Sequence, residues 1–297
     1  MKRIGVILFC GAVLLPVLAQ NTAIFLQGGS PILEGAATAI KAASPALNLP
    51  VPVGPVMLSP TKEKALSDLK DLKSKSVKYL YAIGTGPTVF SVQDADFAGI
   101  YVFVPNPTGA GLLGRAKWAG VSPYPDPRLV MQHLRASMAL QKVAILYTRK
   151  QNQEVAKIFQ DAGEAEKVNC LLVGLKDSDE LQESLEPALN QVQGVLLLID
   201  ALAFGPDQVR FIVSKCLQAK KPLVGFLENM PEVGVPFAIY PPSEELGRTA
   251  AVAMKALQEK GEDRKIWYSQ RFVLSVNQAA VQSLGVPYDS QKVVKTY

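Results

Sequence analysis

Short apolar runs rich in Val, Ile, Leu and Tyr alternate along this chain with segments whose apolar residues recur every three or four positions. No other feature limits the fold as tightly. The runs read as strands at 23–26, 56–58, 77–83, 100–104, 143–147, 170–175, 195–199, 223–226 and 272–276. The periodic segments read as helices at 31–43, 61–75, 127–140, 152–163, 178–191, 206–219 and 243–260. In the sixth of these, Val209, Ile212, Val213 and Cys216 fall on one helical face. The strands are apolar throughout rather than at alternate positions. Such strands are buried on both faces, as in a parallel sheet covered by helices.

The order repeats. Residues 61–88 give an amphipathic helix, a Tyr-rich strand and the turn Gly84-Thr85-Gly86-Pro87; residues 178–206 give a helix, an apolar strand and a turn from Asp200 to Pro206. A chain of 297 residues has room for two ordinary domains. The expected fold is therefore α/β, with two similar doubly wound parallel-sheet lobes and a ligand cleft between them. The first join falls in the Pro-rich stretch Ser122 to Pro127. The expected division is a lobe over 20–122 with a return segment near 241–263, and a second lobe over 123–240 with a tail near 264–297.

Composition excludes several function classes. Hydrophobic residues are 48% and charged residues 19%, too apolar for a disordered chain. The net charge of +5 comes with no Lys/Arg cluster interleaved with aromatics, so no nucleic-acid footprint is present. His133 is the single histidine, so a His-rich zinc site is excluded and no metal or cofactor is expected. Cys10, Cys170 and Cys216 have no CxxC spacing. In an exported chain Cys170 and Cys216 have the chance to pair, but both sit in apolar surroundings that favour buried free thiols. Gly109-Ala110-Gly111-Leu112-Leu113-Gly114 spells GxGxxG, but no long helix follows, as a dinucleotide site requires. No acid, base and nucleophile converge, and the chain does not read as an enzyme.

The start reads as an address. Lys2 and Arg3 precede an apolar run to Leu18, and Ala19 provides a small residue before a cleavage point at Gln20. This pattern predicts a Sec-type signal peptide over 1–19 and a periplasmic protein. Phe9 stands before Cys10 where lipidation wants a small residue, so a lipoprotein is not expected.

In open α/β sheets ligands bind beyond the carboxyl ends of the strands, so the residues just after each strand are the site candidates. In the first lobe these are Gly28 and Ser30, Thr85 and Thr88, and Asn106 and Thr108. Glycine turns with hydroxyls at helix starts offer N–H groups to an acidic ligand end. In the second lobe they are Tyr147, Asp200, Glu228 and Asn229, with Asp200 or Glu228 as receiver of an ammonium. Phe204, Phe226 and Leu227 stand nearby as candidates to pack an apolar ligand body. Each of these residues also has an ordinary use in turns, caps or the core.

Several segments, taken in order, resemble the type I periplasmic solute-binding proteins of ABC importers, in the tryptophan/tyrosine-binding-like subgroup. They are Ala82-Ile83-Gly84-Thr85; Asn106 to Leu112 followed by Gly120-Val121-Ser122; Lys142 to Tyr147; Glu245-Leu246-Gly247-Arg248; Phe272 to Asn277; and Leu284-Gly285-Val286. Asn106 stands where that family often has Asp, and Thr148-Arg149-Lys150 replaces its usual Asn-Pro. The resemblance implies a monomeric solute-binding protein that hands a small organic solute, amino-acid-like and possibly aromatic in kind, to an ABC permease in the inner membrane. Two other roles fit the same fold: a periplasmic ligand-sensing accessory protein, or a carrier of a more apolar cargo such as a lipid or sterol.

Overall fold

A computed structural model describes residues 21–200 and 204–297. The leader read at 1–19, with Cys10, lies outside the described residues. The first lobe opens with β1 (Thr22–Leu26), α1 (Pro31–Ala43), β2 (Val53–Met57), α2 (Lys62–Ser74), β3 (Tyr79–Ile83), α3 (Thr85–Ser91), β4 (Ala98–Val102) and β5 (Trp118–Pro125). The chain then crosses to α4 (Pro127–Ser137), β6 (Lys142–Thr148), α5 (Arg149–Ala165), β7 (Asn169–Leu175), α6 (Leu181–Leu189), β8 (Gly194–Leu197), α7 (Pro206–Gln218), β9 (Leu223–Gly225) and β10 (Phe237–Tyr240). It returns through α8 (Ser243–Lys260) and β11 (Ile266–Ser269), and ends in β12 (Val273–Val276), α9 (Gln278–Leu284) and β13 (Val293–Thr296).

The first sheet has the order β11-β5-β4-β3-β1-β2 and the second β13-β12-β10-β9-β8-β6-β7. Read from the second strand of each lobe, both follow the same path, 2-1-3-4-5, with every neighbour along it parallel. The expected pair of doubly wound lobes is present. An antiparallel contact enters where β12 joins β10. The tail expected in the second lobe from about residue 264 first adds β11 to the first sheet, beside β5. Three crossovers therefore link the lobes, after β5, after β10 and after β11.

Each sheet is covered on both faces. In the first lobe Ile24, Ile100 and Val121 pack with Leu33, Ile40, Leu246 and Met254 of α1 and α8. On the other face Phe25 and Leu80 pack with Leu69 and Leu72 of α2. Helices α1 and α8 run close together because of a glycine: a Cβ on Gly247 would lie 2.4 Å from the Ala39 Cβ and 2.8 Å from the Ala36 carbonyl oxygen. In the second lobe Cys170 belongs to the cluster with Phe159 of α5, and Cys216 to the opposite cluster with Leu185 and Val209. Both thiols are free and the sheet lies between them. Among the described residues no helix is long and apolar enough to cross a membrane.

Candidate functional site

A 2-1-3-4-5 sheet has its switch point between the first and third strands, where successive connections leave on opposite faces and open a crevice. Each lobe has one. In the first lobe it lies between β1 and β3, and in the second between β6 and β8.

At the first switch point Gln27 follows β1 and its N–H donates to the Ile83 carbonyl at 3.0 Å. Gly84 follows β3 at φ 93°, a conformation that suits glycine, and starts α3. The Gly86 N–H donates to the Gln27 side-chain oxygen at 3.3 Å, so one side chain spans the crevice. Gly28 and Thr85 are exposed beside it. Ser30 occupies the N-cap of α1 without a side-chain hydrogen bond to the helix, which leaves its hydroxyl available. Thr88 differs from the expectation. It is fully buried, and its hydroxyl donates to the Gly84 carbonyl at 2.7 Å. It holds the turn and does not face a ligand.

The second switch point carries a tighter polar cluster. Thr148 ends β6 and its hydroxyl donates to the Asp200 carboxylate. Asn152 lies in the first turn of α5, where its own φ of −128° breaks the helical path. Its side-chain amide donates to the Ile199 carbonyl at 3.1 Å and to Asp200 at 3.4 Å. Thr148, Asn152 and Asp200 are all buried. The side-chain oxygen of Asn152 has no hydrogen-bond partner among the described residues. Buried acceptors seldom stay unpaired, so this one marks a place for a donor. Tyr124, at the first crossover, accepts from the Ile199 N–H at 2.9 Å, and burial raises its phenol pKa.

The remaining candidates divide. Asn106 and Thr108 face the other lobe: Asn106 donates to Gln151 at 2.7 Å and Thr108 donates to the Glu154 carboxylate. Asn106 also accepts from the Gly109 N–H at 2.7 Å, which shapes its own loop. Tyr147 is buried in the second-lobe core, where its ring would meet a Cβ on Gly174 at 2.8 Å. Phe204 is buried with Leu181, Leu185 and Val209, and Phe226 stacks edge-on to Tyr124 at 5.0 Å. These three aromatics belong to the core, not to a ligand wall. Leu227 is partly buried and packs against the same cluster as Phe226. Glu228 sits on the surface in an ion pair with Lys295 at 3.5 Å, and Asn229 is exposed.

Tyr124, Gln151, Asn152 and Glu154 were not among the residues expected from sequence. A polar residue in the first turn of a helix after a buried strand is the signal that points to Asn152. Tyr124 is hidden among prolines.

The sequence profile described as ABC transporter substrate binding protein matches residues 62–296. No curated protein matches the chain. Among solved structures the chain is similar to a ligand-free, open substrate binding protein with adhesive properties from Clostridium difficile. That likeness has a TM-score of 0.69 and 16% identity, and covers 93% of this chain and 99% of that one. It is also similar to an ABC domain in complex with L-Trp from Streptococcus pneumonia, at TM-score 0.58 and 15% identity, covering 93% and 100%. A periplasmic ribose ABC transporter protein from Conexibacter woesei gives TM-score 0.51 and 14% identity, covering 90% and 95%. At these identities the likeness concerns the fold.

Proposed function

The chain belongs to the ABC transporter substrate-binding protein family, and on that premise we propose that it is exported to the periplasm and captures a small amino-acid-like solute between its lobes. The solute then passes to an ABC permease. The amino end of the solute docks at the second switch point, against Asp200 and the Asn152 side-chain oxygen. Its acidic end meets the first switch point, where Ser30, Thr85 and the N–H groups near Gly28 supply donors.

The observation that carries this reading is the buried Asn152 oxygen left without a partner beside the Asp200 carboxylate. An ammonium can donate to the Asn152 oxygen while its charge faces the Asp200 carboxylate. The bound L-Trp of the Streptococcus pneumonia protein is consistent with such a solute.

Native mass spectrometry of the exported protein identifies the co-purified solute, and calorimetry then compares the wild type with Asp200→Asn. Loss of one side of a buried charged contact costs about 2–5 kcal/mol. The variant should therefore bind more weakly by that amount while remaining folded. A solute without an amino group, or equal affinity in the variant, overturns the assignment.

A further inference from the structure

Among the described residues the two sheets end in the edge strands β2, β11, β13 and β7. The first three are blunted. Pro55 interrupts β2, while β11 and β13 have four residues each, with Lys265 beside one and Lys295 inside the other. Strand β7 has none of these devices. It runs for seven residues, Asn169–Leu175, without a charge or a proline. A long apolar edge of this kind is a template for another strand.

The Asn169 N–H donates to the Gln141 carbonyl at 2.8 Å, on the side of β6. Alternation along the strand therefore turns the backbone groups of Cys170, Leu172 and Gly174 outward. Gln160 of α5 donates to the Cys170 carbonyl at 3.4 Å, and Arg149 donates to the Gly174 carbonyl at 2.9 Å. These side chains cover the two ends of the edge and leave its centre, Leu172, between them. Leu172 packs on the cluster under α5 and Leu171 on the opposite cluster, and both are partly exposed. A strand added here meets apolar surface on both faces, so it has to be apolar at successive positions. Strand β7 itself meets that requirement.

Its charges are also self-complementary. A second β7 laid antiparallel, with Leu172 facing Leu172, puts Cys170 opposite Gly174. Counting on in the same register puts Lys167 opposite Asp177 at each end, and both side chains are exposed. Glu164 borders one surface hollow with Cys170, and Arg149 lies against Gly174, so this pair too is brought together.

We propose that the β7 edge is a self-association surface, where two copies of this chain pair antiparallel about Leu172 and join their second sheets. Each opposed pair of outward residues exchanges N–H and carbonyl groups. A carbonyl has two lone pairs, so those held by Gln160 and Arg149 can accept again. None of the paired residues belongs to a switch point. The dimer departs from the monomer that the family resemblance implies.

Sedimentation velocity over a range of concentrations is the measurement. The dimer fraction of the wild type should rise with concentration. Leu172→Lys sets two ammonium groups face to face and should weaken the dimer at least tenfold. Lys167→Glu and Asp177→Lys, both exposed, should each weaken it by placing like charges opposite one another. An equal mixture of these two single variants should recover the dimer, because the mixed pair has opposite charges at both ends. Thermal unfolding of each variant establishes that it is folded. A monomer at every concentration up to the millimolar range, a dimer unchanged in the folded Leu172→Lys variant, or a mixture no more dimeric than its components overturns the proposal.

Discussion

The N–H of Ile199 donates to the Tyr124 hydroxyl at 2.9 Å, which joins the first crossover to the strand end that carries Asp200. The tyrosine ring is fixed edge-on between Phe226 and Phe159, at 5.0 and 5.6 Å. Tyr124, near the end of β5, thus holds the backbone just after β8 that leads to Asp200.

Tyr124→Phe keeps the ring and removes the acceptor. The Ile199 N–H is then left buried and unpaired, which costs about 1–3 kcal/mol. Urea unfolding should show a loss in that range. An unchanged midpoint would mean that the hydroxyl contributes nothing to the fold.

His133 is buried against Phe272, with ring centroids 5.2 Å apart, and its Nε2 has no partner among the described residues. Burial, then the charge of Lys292, lowers its pKa from 6.5 to about 4, with Asp289 opposing. The unfolded chain accepts this proton below pH 6.5 and the folded one only near pH 4. Stability contributed by the neutral ring is thus complete above pH 6.5 and is lost as pH falls toward 4, by about 3 kcal/mol in all. His133→Leu should remove this component. The stability of the wild type relative to the variant, measured at pH 7, 5.5 and 4, should fall with pH; a constant difference would disprove it.

Burial pushes the thiols of Cys170 and Cys216 up to about 12, with Glu164 adding to the effect at Cys170. Thiolate is the reactive form, so alkylation of the folded protein at pH 8 should be slower than that of the unfolded chain by on the order of a hundredfold or more. Peptide mass spectrometry reads each site. The intervening sheet also predicts that reductant changes nothing, and a Cys170–Cys216 linked peptide would contradict the packing described above.

Gly247→Ala introduces a methyl group where α1 and α8 nearly touch. The atoms it meets are backbone and Ala39, which have little freedom to yield. Overpacking of this kind costs about 1–3 kcal/mol, and thermal unfolding should register it. A midpoint equal to the wild type would show that the two helices part freely.

Periodicity and apolar runs were enough to read the paired lobes, because burial on both faces leaves its mark on every residue of a strand. Strand β5 was missed because Pro123 and Pro125 resemble a linker. Its pairing with β4 runs from Trp118 to Val121, before either proline, so their lack of an N–H does no damage there. Strand β10 has only four residues, Phe237–Tyr240, too few to show a period. For the site, the loops after the strands could be located from chain order. What each side chain does in them could not. Thr88 turns inward to a carbonyl six residues back in one bond and four back in the other, and Phe204 packs under the sheet; both depend on local geometry that residue type does not encode. Asn152 acquires meaning only when the fold brings it to Asp200, 48 positions away.

The return of the chain through α8 and β11 sets an order of assembly during synthesis. When residue 240 has been made, the second lobe has β6 to β10 in hand, while the first still lacks the helix that covers α1 and the strand that borders β5. The apolar face of α1, with Leu33, Ala36, Ala37 and Ile40, can pack on the first sheet earlier, but its cover by α8 comes only with residues 243–260. The half of the molecule begun first is therefore closed only after the other half has most of its sheet, and β12 and β13 then complete that second sheet.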